Sequence, residues 1–138
     1  MVLELFDWDL ARIKHREQPF ATLQAANFLF ENGMYKDSLN RTYYSCFHSM
    51  CACLCEQQID HSSHRQVIIK FREQHYVRTG IFKKQMSDII ELLISNRSRS
   101  DYDVMFSANH LLVNECVEAS GIFYTNVDEY LKVQYGSI

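Results

Sequence analysis

The chain has 138 residues, of which 47% are hydrophobic and 22% charged, and its formal net charge is −3. A single domain of that length buries roughly 68% of the surface its unfolded chain exposes, and the apolar content excludes a disordered chain. The slightly acidic balance argues against broad, charge-driven nucleic-acid binding and leaves room only for a local basic patch. No apolar run approaches the roughly 18 residues of a spanning helix, so no membrane partner is expected. Glu4, Asp7 and Asp9 stand where a signal peptide carries positive charge, so the N-terminus reads as mature protein. One Pro and four Gly leave little material for turns, which points to long helices. Five cysteines are an odd number, and Cys51, Cys53 and Cys55 alternate within a helical stretch rather than at zinc-knuckle spacing. They are expected to be buried, reduced thiols of a cytoplasmic protein.

The predicted elements are all helices. A short one over about 3–16 places Phe6, Leu10 and Ile13 on one side and forms an N-terminal extension, residues 1–18. Pro19 fits the first turn of a second helix reaching Asn32, with Leu23, Ala26 and Phe30 inward, and Gly33 stands at its stop. The third helix, about 35–57, carries two stripes: Leu39, Tyr43, Cys46, Met50 and Leu54, and then Tyr44, Phe47, Cys51 and Cys55. Apolar residues on more than one side predict a central helix. A polar loop over 59–63 precedes a helix over about 64–76, with Val67, Ile68 and Phe71 inward. The fifth helix, about 83–99, buries Met86, Ile90 and Leu93, and Arg97 extends its stripe. A polar turn over 98–106 leads to Ser107, an expected cap for the last helix, which places Leu112, Cys116, Ala119, Phe123 and Tyr130 on one face. Gly121 within it is expected to mark a close helix contact. The whole is an all-α, up-and-down bundle of about five or six helices, with the main domain over 19–138.

Three groups of residues can carry chemistry. Arg41 and His48 lie seven apart on one helical line, with Tyr44 between them. A guanidinium offers forked donors to phosphate oxygens, and an imidazole titrates near neutral pH. Arg97 is drawn toward the core by its place on the apolar stripe, and a buried guanidinium needs a partner. Asp101, one turn on, supplies it if the helix continues. The basic residues Arg65, Lys70, Arg72, Arg78, Lys83 and Lys84 read as a solvated face or a surface for RNA or nucleotide. His61 and His64 flank two serines without a third ligand at metal-binding distance, so no metal site is expected. No phosphate loop or other cofactor motif is present, so no cofactor is expected.

The run from Asn32 to His48 resembles the "G-x-Y-x-x-A/S-x-x-R-x-Y-Y-x-x-F-H" signature of HEPN-domain proteins, in the small stand-alone branch often encoded beside a minimal nucleotidyltransferase. His64-Arg65-Gln66-Val67-Ile68 with Phe71 and Val77-Arg78-Thr79-Gly80 is similar to a second piece of that family. Arg97 followed by Asp101-Tyr102-Asp103 is similar to a third. The resemblance spans about 20–133. It implies a helical bundle, commonly a homodimer, and in many members a metal-independent RNase of a toxin–antitoxin or defence type. The candidate catalytic residues are Arg41, His48 and Arg97, the first two by their helical spacing, and the candidate binding residues are Tyr44, His64, Asp101 and Tyr102; what the resemblance adds is Tyr102 as a site of modification by a partner nucleotidyltransferase. Asp101 and Tyr102 occupy the region after Arg97 where the family's motif carries a His. The alternative is a non-catalytic helical module whose polar residues form a buried network.

Overall fold

Every residue from Ser49 to Cys55 is buried, so the middle of the chain is surrounded by protein on all sides. The computed structural model describes residues 7–59 and 63–137 and shows what surrounds it. Among the described residues five α-helices run in order: α1 (Trp8–Glu31), α2 (Tyr35–Glu56), α3 (His64–Arg72), α4 (Lys84–Tyr102) and α5 (His110–Tyr135). A π-helical turn (Glu73–Val77) continues α3, and no strand occurs among the described residues. α2 is the central helix and touches the other four, α1 most extensively. The expected inward residues Leu39, Tyr43, Cys46, Met50 and Leu54 are all in the core, joined by Phe71, Ile90, Leu93, Cys116 and Phe123. No described helix is long and apolar enough to cross a membrane.

Several expectations are corrected. The two N-terminal helices expected on either side of Pro19 are one helix, α1, with Pro19 buried inside it. Proline removes one backbone bond and costs about 3 kcal/mol in a helix interior. Here its carbonyl accepts a hydrogen bond from Ser45 Oγ at 2.8 Å, and the long contact with α2 outweighs the loss. Ser38 Oγ donates to the Ala26 carbonyl in the same seam, so α1 and α2 run antiparallel. Leu10, expected inward, faces solvent, and Phe6 and residues 60–62 of the expected loop lie outside the described residues. α4 runs on through Ser98 to Tyr102 instead of ending before a turn. The α5 cap is Asn109, whose Oδ1 accepts from Leu112 N at 2.9 Å, rather than Ser107. The cap falls later because Asp103 folds the intervening chain into its own turn, accepting Met105 N at 2.9 Å. A side chain built at Gly121 would meet nothing within 4 Å, so that glycine borders open space and no close helix contact.

Two turns set the ends of the seam. Gly33, at φ +72°, closes α1 with bonds from its own N–H to Phe30 and from Met34 N to Leu29. Gln58, at φ +53°, closes α2 with the equivalent pair to Cys55 and Leu54. These are left-handed helix stops, at which glycine is the least strained residue.

Candidate functional site

The site grows from successive residues of α2. Tyr43 lies on the inward stripe, and its near-neighbour Tyr44 turns toward the surface, so their rings meet edge-on at 5.0 Å and 78°. Phe47, one turn on, extends the aromatic wall. Arg97 arrives from α4, with its guanidinium carbon 4.9 Å from the Tyr43 ring centre and 5.4 Å from that of Tyr44. Its Nη2 donates to the Tyr44 hydroxyl at 3.4 Å, and its Nε lies 3.1 Å from Asp101 Oδ2. The predicted Arg97–Asp101 pair therefore forms, because α4 continues. Its side chains are 24% and 32% exposed, so it is a pair at the rim and not a buried network.

Arg41 reaches the same tyrosine from α2 itself, 5.1 Å from the Tyr44 centroid. Its Nε donates to the neutral Asn40 Oδ1 at 3.0 Å. One phenol ring thus carries two guanidiniums, and the only carboxylate paired with either among the described residues is Asp101.

Two imidazoles border this ring. His64 starts α3, whose first turn is fixed by Ser63 Oγ accepting Gln66 N at 3.2 Å. Its ring lies 4.1 Å from Phe47, and its Nδ1 is 3.1 Å from the Tyr43 hydroxyl. Burial, and then the charge of Arg97, hold His64 below the usual histidine range. Burial also pushes the Tyr43 phenol up to about 12, partly offset by Arg97, so it keeps its proton. His48, one turn beyond Tyr44 on α2, reaches toward α1. Its Nδ1 is 3.4 Å from His15 Nδ1 on α1, and its ring centre is 6.5 Å from that of Tyr44. Burial, followed by His15, Arg41 and His64, lowers it to about 4.

Arg41, Tyr44, His48, His64, Arg97 and Asp101 are therefore gathered around one side of α2, supplied by three helices. Tyr102 is not among them: it is 79% exposed and has no ring or hydrogen-bond contact with the group among the described residues. Three contributors were not singled out from the sequence. Tyr43 reads as plain core by its stripe, and Phe47 as the second stripe. His15 was hidden by the expected break at Pro19; in one continuous helix, 15, 19, 22 and 26 follow the spacing of an inward face. Among the described residues no three His, Cys, Asp or Glu side chains are grouped so as to hold a metal ion. The five cysteines are free and buried, and burial raises the thiols of Cys46, Cys51 and Cys53, which opposes thiolate chemistry.

A family model for the HEPN domain matches residues 14–130, which takes in every residue of this cluster. The chain belongs to the HEPN family. Among curated proteins it is 35% identical over 80 residues to a Methanocaldococcus jannaschii protein named "Putative toxin MJ0605", covering 58% of this chain and 59% of that one. It is 35% identical over 88 residues to the UPF0332 protein PH1297 of Pyrococcus horikoshii, covering 64% and 58%. A UPF0332 protein of Thermotoga maritima is 22% identical over 110 residues, covering 80% and 83%. The chain thus spans somewhat under three fifths of the length of the first two relatives. The HEPN match begins inside α1, before Pro19, in keeping with a helix that continues through that residue.

Proposed function

We propose that this HEPN protein is the toxin-type member of a toxin–antitoxin or defence pair and cleaves RNA without a metal ion. The observation that carries the reading is the pair of guanidiniums on the Tyr44 ring, of which only Arg97 is paired with a carboxylate among the described residues. Two fixed cations with donors to spare suit the charge that builds on a phosphodiester during transfer. The rings of Tyr44 and Phe47 give a flanking base a surface to stack on. A neutral imidazole beside them accepts the proton of a ribose 2′-hydroxyl. The name of the Methanocaldococcus jannaschii relative supports the toxin class, and the family resemblance supports a homodimer with a nucleotidyltransferase as its partner.

The test is cleavage of a labelled single-stranded RNA by the purified chain in EDTA. Arg97→Ala and Arg41→Ala are each expected to slow it by about 10²-fold or more. Asp101, standing beside Arg97 where a His would complete the family's motif, favours a second reading: a binding module without catalysis. RNA bound in a salt-sensitive manner by the native chain, but never cut, selects that reading over the first.

A further inference from the structure

We propose that His64, reaching the cluster from the start of α3, is the group that takes the proton from the ribose 2′-hydroxyl, and that Tyr43 is the residue that positions it. This inference rests on the RNase reading above and names the residue that does the work the Arg97 segment cannot do. That segment offers Asp101 and Tyr102 where an imidazole is needed. Asp101 is committed to Arg97, and Tyr102 stands out in solvent.

Three observations separate His64 from His48. The first is access. His64 is exposed, whereas His48 is partly covered and its Nδ1 is turned to His15 on α1. The second is anchoring. His64 is held at both a face and an edge: its ring lies 4.1 Å from Phe47, and its Nδ1 is 3.1 Å from the Tyr43 hydroxyl. We assign the Nδ1 proton to this contact, donated to the Tyr43 oxygen, so that Nε2 keeps its lone pair for a ligand. The same bond persists when the ring becomes imidazolium, so the side chain need not move during proton transfer. Tyr43 suits this part because its ring is buried in the core, so the oxygen that meets Nδ1 is held in place. The third is proximity to the cation. Tyr43 touches both partners, since Arg97 sits over its ring and His64 meets its hydroxyl. A phosphate held by Arg97 therefore lies beside the imidazole and favours its charged form once the proton has moved.

The step balances as follows. The 2′-hydroxyl proton passes to Nε2 of His64 as the 2′-oxygen bonds to phosphorus. The bond from phosphorus to the 5′-oxygen breaks, and that oxygen takes a proton from water. The products are a 2′,3′-cyclic phosphate and a 5′-hydroxyl, and His64 then returns its proton to solvent.

The experiment uses the full chain and an end-labelled single-stranded RNA in EDTA from pH 5 to 9. His64→Ala is expected to lose about 10²-fold or more in rate, and added free imidazole to restore part of it. His64 lies on the surface, so circular dichroism and melting of the variant should match the native chain. Tyr43→Phe should shift the acidic limb of the kcat/KM profile while retaining measurable cleavage. His48→Gln should lower the rate less than tenfold and gain nothing from imidazole. If His64→Ala cleaves within about threefold of the native rate, or if imidazole rescues His48→Ala instead, His64 is not the proton acceptor although the RNase reading stands. A native chain that leaves RNA intact under all these conditions overturns both.

Discussion

Arg16 and Arg97 both meet carboxylates, and they do so in opposite ways. Arg16 on α1 donates from Nη1 to Glu56 Oε1 at 3.0 Å and from Nη2 to the Gly136 carbonyl at 2.8 Å, and Arg12 adds a second cation 3.7 Å from the same carboxylate. Its partners are 40 and 120 residues away, so one side chain fastens the end of α2 and the end of α5 to α1. Both members of the pair are nearly covered, at 6% and 5% exposure. Arg97 pairs within its own helix and spends the rest of its surface on tyrosine faces. A guanidinium has five N–H donors. At Arg16 protein atoms use both terminal nitrogens in short bonds. At Arg97 one contact is an ion pair at the rim and the other a long bond to a phenol. The difference separates a fastening from a site: full satisfaction makes structure, and partial satisfaction leaves donors for a ligand.

The comparison breaks most visibly at Glu56. Removing one partner of a covered ion pair leaves the other charge in a poor solvent. Glu56→Ala should therefore cost about 3–5 kcal/mol of stability in urea unfolding. A loss below about 1 kcal/mol would mean that Arg16 finds water or the C-terminal carbonyls equally well. Any RNA cleavage by the folded fraction of this variant should be unchanged per molecule, because no part of the fastening faces the Tyr44 ring.

How much of this was legible in the sequence follows from which physics each part uses. The bundle and its central helix were readable because burial writes itself as period 3.6: Leu39, Tyr43, Cys46, Met50 and Leu54 keep that period and are all buried. The Arg97–Asp101 pair was readable for the same reason, being one helical turn apart, as was the line of Arg41, Tyr44 and His48. The fastening was not. Arg16, Glu56 and Gly136 carry no shared spacing, and only the fold brings them together. His15 was lost to a local rule, since Pro19 normally starts or breaks a helix. The seam between α1 and α2, with Ser45 donating to the Pro19 carbonyl, overrides it. The part His64 plays at the cluster depended on where α3 begins relative to α2, which no sequence period encodes.

Acid should separate the two regions next. His48 has a folded-state value of about 4, against an ordinary 6.5. The unfolded chain therefore takes up this proton first as the pH falls. Its contribution to stability is complete above about pH 6.5 and is lost progressively from there toward pH 4. His64 and the buried His75 are lowered as well and act with the same sign. Between pH 7 and 5 the His48 contribution amounts to about 1 kcal/mol once halved for its partial exposure. Melting should fall over that interval, and His48→Gln should flatten the fall. A slope that survives in His48→Gln unchanged would place the acid sensitivity elsewhere, with His75 the next candidate.

The smallest effect is the most telling. Arg97→Ala removes a rim pair and two aromatic contacts, each of a kind worth under about 1 kcal/mol when water reaches it. Its loss of stability should stay near 0.5–1 kcal/mol by the same measurement that finds several at Glu56, with roughly that scale set by exposed pairs. A cost approaching that of Glu56→Ala would show that Arg97 is a second fastening, and the α2–α4 seam would then be its purpose. A small cost joined to a large loss of RNA cleavage leaves the opposite conclusion: the side chain is held out over Tyr43 and Tyr44 for a phosphate and contributes little to the fold that carries it.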